Sequence, residues 1–470
     1  MLPEELLLLI FEYCADEEQF TKKEMEAWQS LAHVCRQWRS LVFGSARRLN
    51  LRLVCTPGTL ASDKLDVWPL WPKFPLLIQG EIVDTSGMDN IISALKSSNP
   101  VFQIKLAGVS SSQLENLSAA MQRPISELIR LELWSRDEKM PVIMPNSFLG
   151  GFVPTLRFLW LARIPIPGLP KLLLSATHLV DLHLLGIPHS GYFSPEAMVT
   201  ALSTLNSLES LSLKFQSPRS QPRNQRPFPW IRSVLPVVTH FWFKGVSNYL
   251  EDFVACIEAP RLEFFDICFF NRILFDIPKL VRFIDRTPAL TVPEIARISF
   301  ERGAPRVNFS SQRPGFGKLI VEISCTEPNW QLSALRQVCA SFVPHLPTLE
   351  KLYIFEHIPL QPDWQDNIDN VQCMELLHPF SNVKNLYLSE VYPSYIVSAA
   401  LLEPFRVHDS TKSGGSTYSR SEMLPALQNI FLEGLQPSGP VQKAIRQFVA
   451  EREVSDQPIA VYRWDRRTRF

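Results

Sequence analysis

LVDLHL at residues 179–184 and LESLSL at 208–213 share one pattern, L-x-x-L-x-L. Substituted copies run along the chain: VFQIKL (101–106), LIRLEL (128–133), LRFLWL (156–161), VTHFWF (238–243), LEFFDI (262–267), IARISF (295–300), LEKLYI (349–354), VKNLYL (383–388) and LQNIFL (427–432), with GKLIVEIS (317–324) a weaker relative. Typical spacings are 23–34 residues, widening where loops intervene. Each copy is short and alternating, as a half-buried strand is. Between them lie amphipathic stretches such as MDNIISALKSS, SQLENLSAAMQ, PEAMVTALSTL, PKLVRFIDRTP, WQLSALRQVCASFV and PVQKAIRQFVAE. A strand–turn–helix unit cannot bury its own apolar face, but stacked units can bury each other's. The expected fold class is therefore α/β: an irregular solenoid with a curved parallel sheet and outer helices.

This pattern resembles leucine-rich repeats. It departs where the usual repeat carries asparagine, offering Ile164, Ile187, Val246, Phe270, Val391 and Leu435 instead. The expectation is apolar packing in place of an asparagine ladder. In each strand the leucines point inward and the residues between them outward. The outward positions include Trp134, Phe158, Trp160, Trp242, Phe264, Tyr353, Phe355, Tyr387 and Phe431, interleaved with Glu132, Asp181, His183, His240, Lys244, Asp266, Arg297 and Glu433. Aromatic anchors among mixed charges suit a protein-binding surface for a client. The alternative is that another segment folds over the sheet and turns these rings into core, since strands favour aromatics in any case.

The first fifty residues differ in kind. MLPEELLLLIFEYCADEE carries an apolar run, but Glu4, Glu5, Glu12, Asp16, Glu17 and Glu18 flank it, and Lys22 is its first basic residue. A secretory leader needs a basic start and a small-residue cleavage site. The expectation is a retained helix in an intracellular protein, cytoplasmic and/or nuclear, not secreted and without a membrane span. FFDICFF (264–270) is far too short to cross a bilayer. A second apolar periodicity, AWQSLAHVCRQWRSLVF, predicts one further helix over 27–43. Two such helices cannot stand alone and must lean on the chain, on a partner, or on both.

LPEELLLLIFEY followed by LAHVCRQWRSLVF resembles an F-box, with its Leu-Pro start, Ile-Phe pair and Val-Cys-Arg-x-Trp. The continuation RRLNLRLVCTPGTLASDKLDVWPLWPKFPLLI is similar to mushroom-type fungal F-box proteins. The resemblance implies docking on the Skp adaptor and, through it, on a cullin. By position it implies adaptor contacts or supporting core from Leu2, Pro3, Leu6, Ile10, Phe11, Leu31, Val34, Cys35, Trp38 and Leu41. The domain organisation expected is an F-box at 1–46, a linking segment at 47–75 and the repeat array at 76–470. The function so implied is substrate recognition in a cullin-type (SCF) ubiquitin ligase. The alternative is a non-catalytic repeat scaffold whose helices only cap the array.

Composition gives other classes no support. Lys+Arg and Asp+Glu balance at 47 each, so bulk charge suggests no nucleic-acid partner. The basic, aromatic end YRWDRRTRF is expected to be a last strand or tail on the array. Eight scattered cysteines without a C-x-x-C pair suggest buried thiols and no metal site. GFGK (315–318) lacks the spacing of a phosphate loop, and His33 with Cys35 makes no metal pair. No catalytic residue or cofactor is expected. SPRSQPRNQRPFP (217–229) and HDSTKSGGSTYSRSE (408–422) are expected to be extended, solvated loops.

Overall fold

The computed structural model describes residues 3–15, 28–45, 49, 51–58, 74–137, 142–217, 232–270, 277–301, 304–313, 315–324, 328–356, 370–389, 423–433 and 440–464. The two loops expected at 217–229 (beyond Ser217) and 408–422 lie outside these residues, as do Leu2, Val391 and Leu435. The chain divides into two compact units, Met1–Gln216 and Ser217–Phe470.

The first unit begins with α1 (Glu4–Ala15), α2 (Trp28–Val34) and α3 (Arg36–Gly44). Glu4 and Glu5 sit in the first turn of α1, where carboxylates favour the positive end of the helix dipole. The single second helix expected over 27–43 is two helices. Cys35 is extended (φ −158°, ψ 171°), and its Sγ accepts a hydrogen bond from Trp38 N at 3.4 Å as the cap of α3. Apolar periodicity is blind to such a break, because one extended residue leaves the spacing of hydrophobic positions almost intact.

Strands and helices then alternate: β1 (Leu53–Cys55), β2 (Leu76–Glu81), α4 (Thr85–Lys96), β3 (Val101–Val109), α5 (Ser111–Ala120), β4 (Arg130–Ser135), β5 (Phe158–Ala162), α6 (Leu169–Leu173), β6 (Asp181–Ile187), α7 (Pro195–Leu202) and β7 (Ser210–Phe215). Each strand pairs in parallel with the next. Register places Ile78, Ile104, Leu131, Leu159, Leu182 and Leu211 in one inward row, none more than 1 % exposed. Burying each such side chain contributes about 1.5–3 kcal/mol. Polar caps tie one repeat to the next. Asp84 caps α4 by accepting from Gly87 N at 2.8 Å, and its carbonyl accepts from Gln113 Nε2 at 3.0 Å. Gln113 also completes a capping box with Ser110 at the start of α5.

The second unit contains β8 (Ser233–Val234), β9 (His240–Gly245), α8 (Ser247–Ala255), β10 (Ile257–Glu258), β11 (Phe264–Phe270), α9 (Pro278–Asp285), β12 (Ile295–Glu301), β13 (Ala304–Ser310), β14 (Lys318–Ser324), α10 (Pro328–Ser341), β15 (Lys351–Glu356), α11 (Asn370–Leu377), β16 (Asn385–Ser389), β17 (Asn429–Glu433), α12 (Pro440–Val454) and β18 (Ala460–Arg463). The order of its main strands is β9-β11-β14-β13-β12-β15-β16-β17-β18. Here the all-parallel expectation fails: β13 runs antiparallel to both β12 and β14. The reason is connection length. Only Arg302 and Gly303 separate β12 from β13, whereas a parallel crossover needs a dozen residues or more. The weak copy GKLIVEIS therefore pairs with β11, ahead of IARISF in space although behind it in sequence.

Gly317 permits that placement. A Cβ there would lie 2.2 Å from the Glu263 carbonyl oxygen, which accepts from Lys318 N at 2.7 Å. On the helix side, buried Glu251 of α8 accepts from Lys279 N (2.9 Å) and Leu280 N (2.7 Å) at the start of α9. At the positions expected to replace the asparagine ladder, Ile164, Ile187 and Phe270 are at the edge of full burial or within it, and Val246 is partly covered.

Candidate functional site

The N-terminal helices separate their apolar residues into two sets. Leu7, Phe11, Ala32 and Val42 are buried, with Phe11 meeting Trp38 edge to face at 4.9 Å. Leu6, Leu9, Ile10 and Val34 remain 45–59 % exposed. Pro3 and Cys35 are exposed, while Leu31, Trp38 and Leu41 are half-buried. Phe11, expected among the contacts, is fully buried and belongs to the small core. Ile10 and Phe11 are adjacent on a helix and point about 100° apart, so the burial of Phe11 leaves Ile10 on a different side, 45 % exposed. Leu9 joins the exposed set. Its three-residue step from Leu6 was the signal for it.

On the outward face of the first unit, register aligns Lys105, Glu132, Trp160 and His183 in one row and Arg130, Phe158 and Asp181 in the next. Glu132 is almost fully buried there between two cations, with Arg130 Nε at 2.5 Å and Lys105 Nζ at 3.7 Å. The Arg130 guanidinium also lies 3.7 Å from the Phe158 ring centroid. His183 packs 5.7 Å from Phe158 and 6.5 Å from Trp160. Burial holds the His183 imidazole below its ordinary value and lifts the Asp181 carboxyl above its own. Trp134 and Trp160 stay exposed, and Phe158 is half-buried.

The second unit's outward face is built from rings. His240, Trp242 and Phe264 cluster at 5.4–5.8 Å. Tyr353, Tyr387, Phe431 and Tyr462 occupy one register row and stack at 4.2, 4.5 and 5.2 Å, within 20° of parallel. Trp464 sets its ring across Tyr387 (5.2 Å) and Tyr353 (5.9 Å). Trp242, Phe264, Tyr353, Tyr387 and Phe431 are all partly exposed. Phe355 is a correction: it packs beside Tyr353 at 5.9 Å and is only 7 % exposed. Alternation along a strand sets a side chain's direction but not what covers it.

Among the described residues, no group of three His, Cys, Asp or Glu side chains is placed to hold a metal ion. No helix among them is long and apolar enough to cross a membrane.

Residues 1–52 match the F-box-like family model. No curated protein matches the chain. Among solved structures it is similar to the leucine-rich repeat-containing protein LegL7 from Legionella pneumophila, at 13 % identity and a TM-score of 0.28, over 85 % of this chain and 98 % of that one. So slight a likeness adds nothing to the fold, which rests on the strands and registers themselves. The chain joins an F-box-like domain at its N-terminus to leucine-rich-repeat-like strand–helix units, an architecture of protein-interaction modules.

Proposed function

We propose that this chain is the substrate-recognition subunit of a cullin-type (SCF) ubiquitin ligase, acting inside the cell, in cytoplasm or nucleus. The observation that carries the proposal is the exposed set Leu6, Leu9, Ile10 and Val34, on an F-box-like domain whose own core is already filled by Leu7, Phe11 and Val42. Several exposed apolar groups on a small helical domain favour a protein partner. That partner is the Skp adaptor, and the docking segment is residues 1–46. Leu2, Pro3, Leu6, Leu9, Ile10 and Val34 make contacts, with Leu31, Cys35, Trp38 and Leu41 at or beneath them.

Residues 47–75 link this segment to the repeats at 76–470, which hold the client. Client contacts come from Trp134, Phe158 and Trp160 in the first unit and from Trp242, Phe264, Tyr353, Tyr387 and Phe431 in the second. The chain contributes proximity: it raises the client's effective concentration at the transferred ubiquitin and adds no catalytic residue, metal or cofactor. A pulldown of the full chain with the Skp adaptor and cullin tests this. Leu6→Asp/Ile10→Asp should abolish capture while leaving the thermal melt unchanged, because neither side chain is core. Absence of adaptor binding by the wild-type chain at micromolar concentration refutes the ligase reading.

A further inference from the structure

The outward face of β14, β13, β12 and β15 carries three cations, Arg297, Lys318 and Lys351, that form no ion pair with a carboxylate among the described residues. Arg297 donates from Nη1 to Ser310 Oγ at 3.1 Å and rests 5.1 Å from the Tyr353 ring centroid. Lys318 Nζ lies 5.8 Å from the Phe264 centroid, and Lys351 Nζ donates to Gln312 Oε1 at 2.9 Å. The acids nearby pair with other cations: Glu322 with Arg306, Glu294 with Arg313 at 2.6 Å, and Glu350 with Lys384 at 2.8 Å, Glu350 also feeling the charge of Lys351 more weakly. Aromatic faces and neutral acceptors therefore hold these cations in place without cancelling their charge.

Their spacing bears on what they bind. Register sets Lys318 opposite Ser310, Ser310 opposite Ile295 and Ile295 opposite Lys351. The two lysines stand three strand spacings apart, roughly 14 Å, with Arg297 between them. Cations so spread do not converge on one phosphate. They do match carboxylates on alternate residues of an extended segment, where five residues span roughly 13 Å. Next to them, the rings of Tyr353, Tyr387, Phe431 and Tyr462 stack on one another, so that Tyr387 and Phe431 have a ring against each face, while Tyr462 ends the row and stays 49 % exposed. A nucleobase needs an open ring face to stack on, and the inner rings of the row, Tyr387 and Phe431, offer none. Ring edges carry the positive end of the aromatic quadrupole, which again favours an anionic partner.

We propose that this face docks an extended acidic segment of a client protein, with carboxylates on Lys318, Arg297 and Lys351 and adjoining side chains along the ring edges beside them. The proposal rests on the outward faces being client surfaces, but its test does not pass through the adaptor. The probe is a fluorescein-labelled seven-residue peptide with glutamate at alternate positions, titrated by anisotropy against the full chain. Comparison peptides carry lysine at those positions, or phosphoserine at the central one, and a short oligouridine is a further probe.

The glutamate peptide should bind about tenfold tighter than the lysine peptide, and the difference should shrink as salt rises. Arg297→Gln/Lys351→Gln should remove the preference, and Arg297→Glu/Lys351→Glu should reverse it toward the lysine peptide. A thermal melt checks that both variants fold, and their capture by the adaptor should match wild type. Glutamate binding that ignores these substitutions overturns the proposal. So does a clear preference for the phosphoserine peptide or for oligouridine. If the adaptor is not captured but the glutamate peptide binds as described, the ligase reading falls and the acidic-segment surface stands.

Discussion

The outward faces of the two units are made from the same repeat pattern and reach opposite electrostatic states. In the first unit, Lys105 and Arg130 converge on Glu132, which is nearly buried between them. In the second, Arg297, Lys318 and Lys351 stand on rings, a serine and a glutamine, and make no ion pair with an acid among the described residues. The aromatic residues differ in the same sense. Trp134 and Trp160 offer open indole surface, whereas within the Tyr353–Tyr387–Phe431–Tyr462 stack Tyr387 and Phe431 have both faces covered. A repeat scaffold thus separates two tasks. Inward leucines fix the fold, and each outward position can be neutralised or left charged through its cross-strand neighbour, without cost to the core.

The largest expected effect comes from making the second face resemble the first. Asn308 is the register partner of Arg297 on β13, and its Oδ1 is buried with no hydrogen-bond partner among the described residues. Asn308→Asp would set a carboxylate against that guanidinium at cross-strand distance. Affinity for the glutamate peptide should fall about tenfold, with little change in melting temperature. Unchanged affinity would mean that Arg297 is not the anchor. The converse change is expected to be smaller. Glu132→Gln would leave Lys105 and Arg130 without their acid, and the first unit should gain glutamate-peptide binding by about two- to fivefold, since both cations are exposed enough to be screened. Competition anisotropy in an Arg297→Gln/Lys351→Gln background isolates that gain. If none appears, net charge alone does not decide which face takes acid.

The inward half of this design was legible in the sequence, and the outward half only in part. Leu131, Leu159 and Leu182 repeat at fixed places within their strands, so a period of two identifies them without knowledge of their neighbours. The strand at Ala304–Ser310 alternates equally well but carries no leucine pattern to mark it, and its direction follows from a two-residue connection. The pairing of Lys105 with Glu132 joins residues one repeat apart, and only the register between β3 and β4 brings them together. The same holds for Arg297, whose outward direction is readable in IARISF but whose neighbours come only from β13 and β15. At the N-terminus the composition of the helices was evident. Which of Ile10 and Phe11 faces water depended on where α2 and α3 pack, and so on the break at Cys35.

The smallest expected effect concerns pH, and it sets the two faces apart in another way. Burial among Phe158 and Trp160 keeps the His183 imidazole below its ordinary value of 6.5. Asp181 and Glu132 pull the other way, while Lys214 and Arg130 add to the depression. Just below pH 6.5 the unfolded chain therefore binds more protons at this residue than the folded one, and stability falls as pH drops through that window. Asp181 has the opposite sign. Its carboxyl is lifted above 3.8, first by burial, so acidification through the range just above 3.8 favours the folded state. The two windows are separable. Urea midpoints measured at closely spaced pH values should decline below 6.5 in wild type and decline less in His183→Gln. Equal slopes would show that the ring takes no part in acid sensitivity. Where wild type stays folded, protonation places a third cation beside Arg130 and Lys105, and the first unit's face moves toward the uncompensated state of the second. Its affinity for the glutamate peptide should then rise modestly with acid, and His183→Gln should abolish that rise.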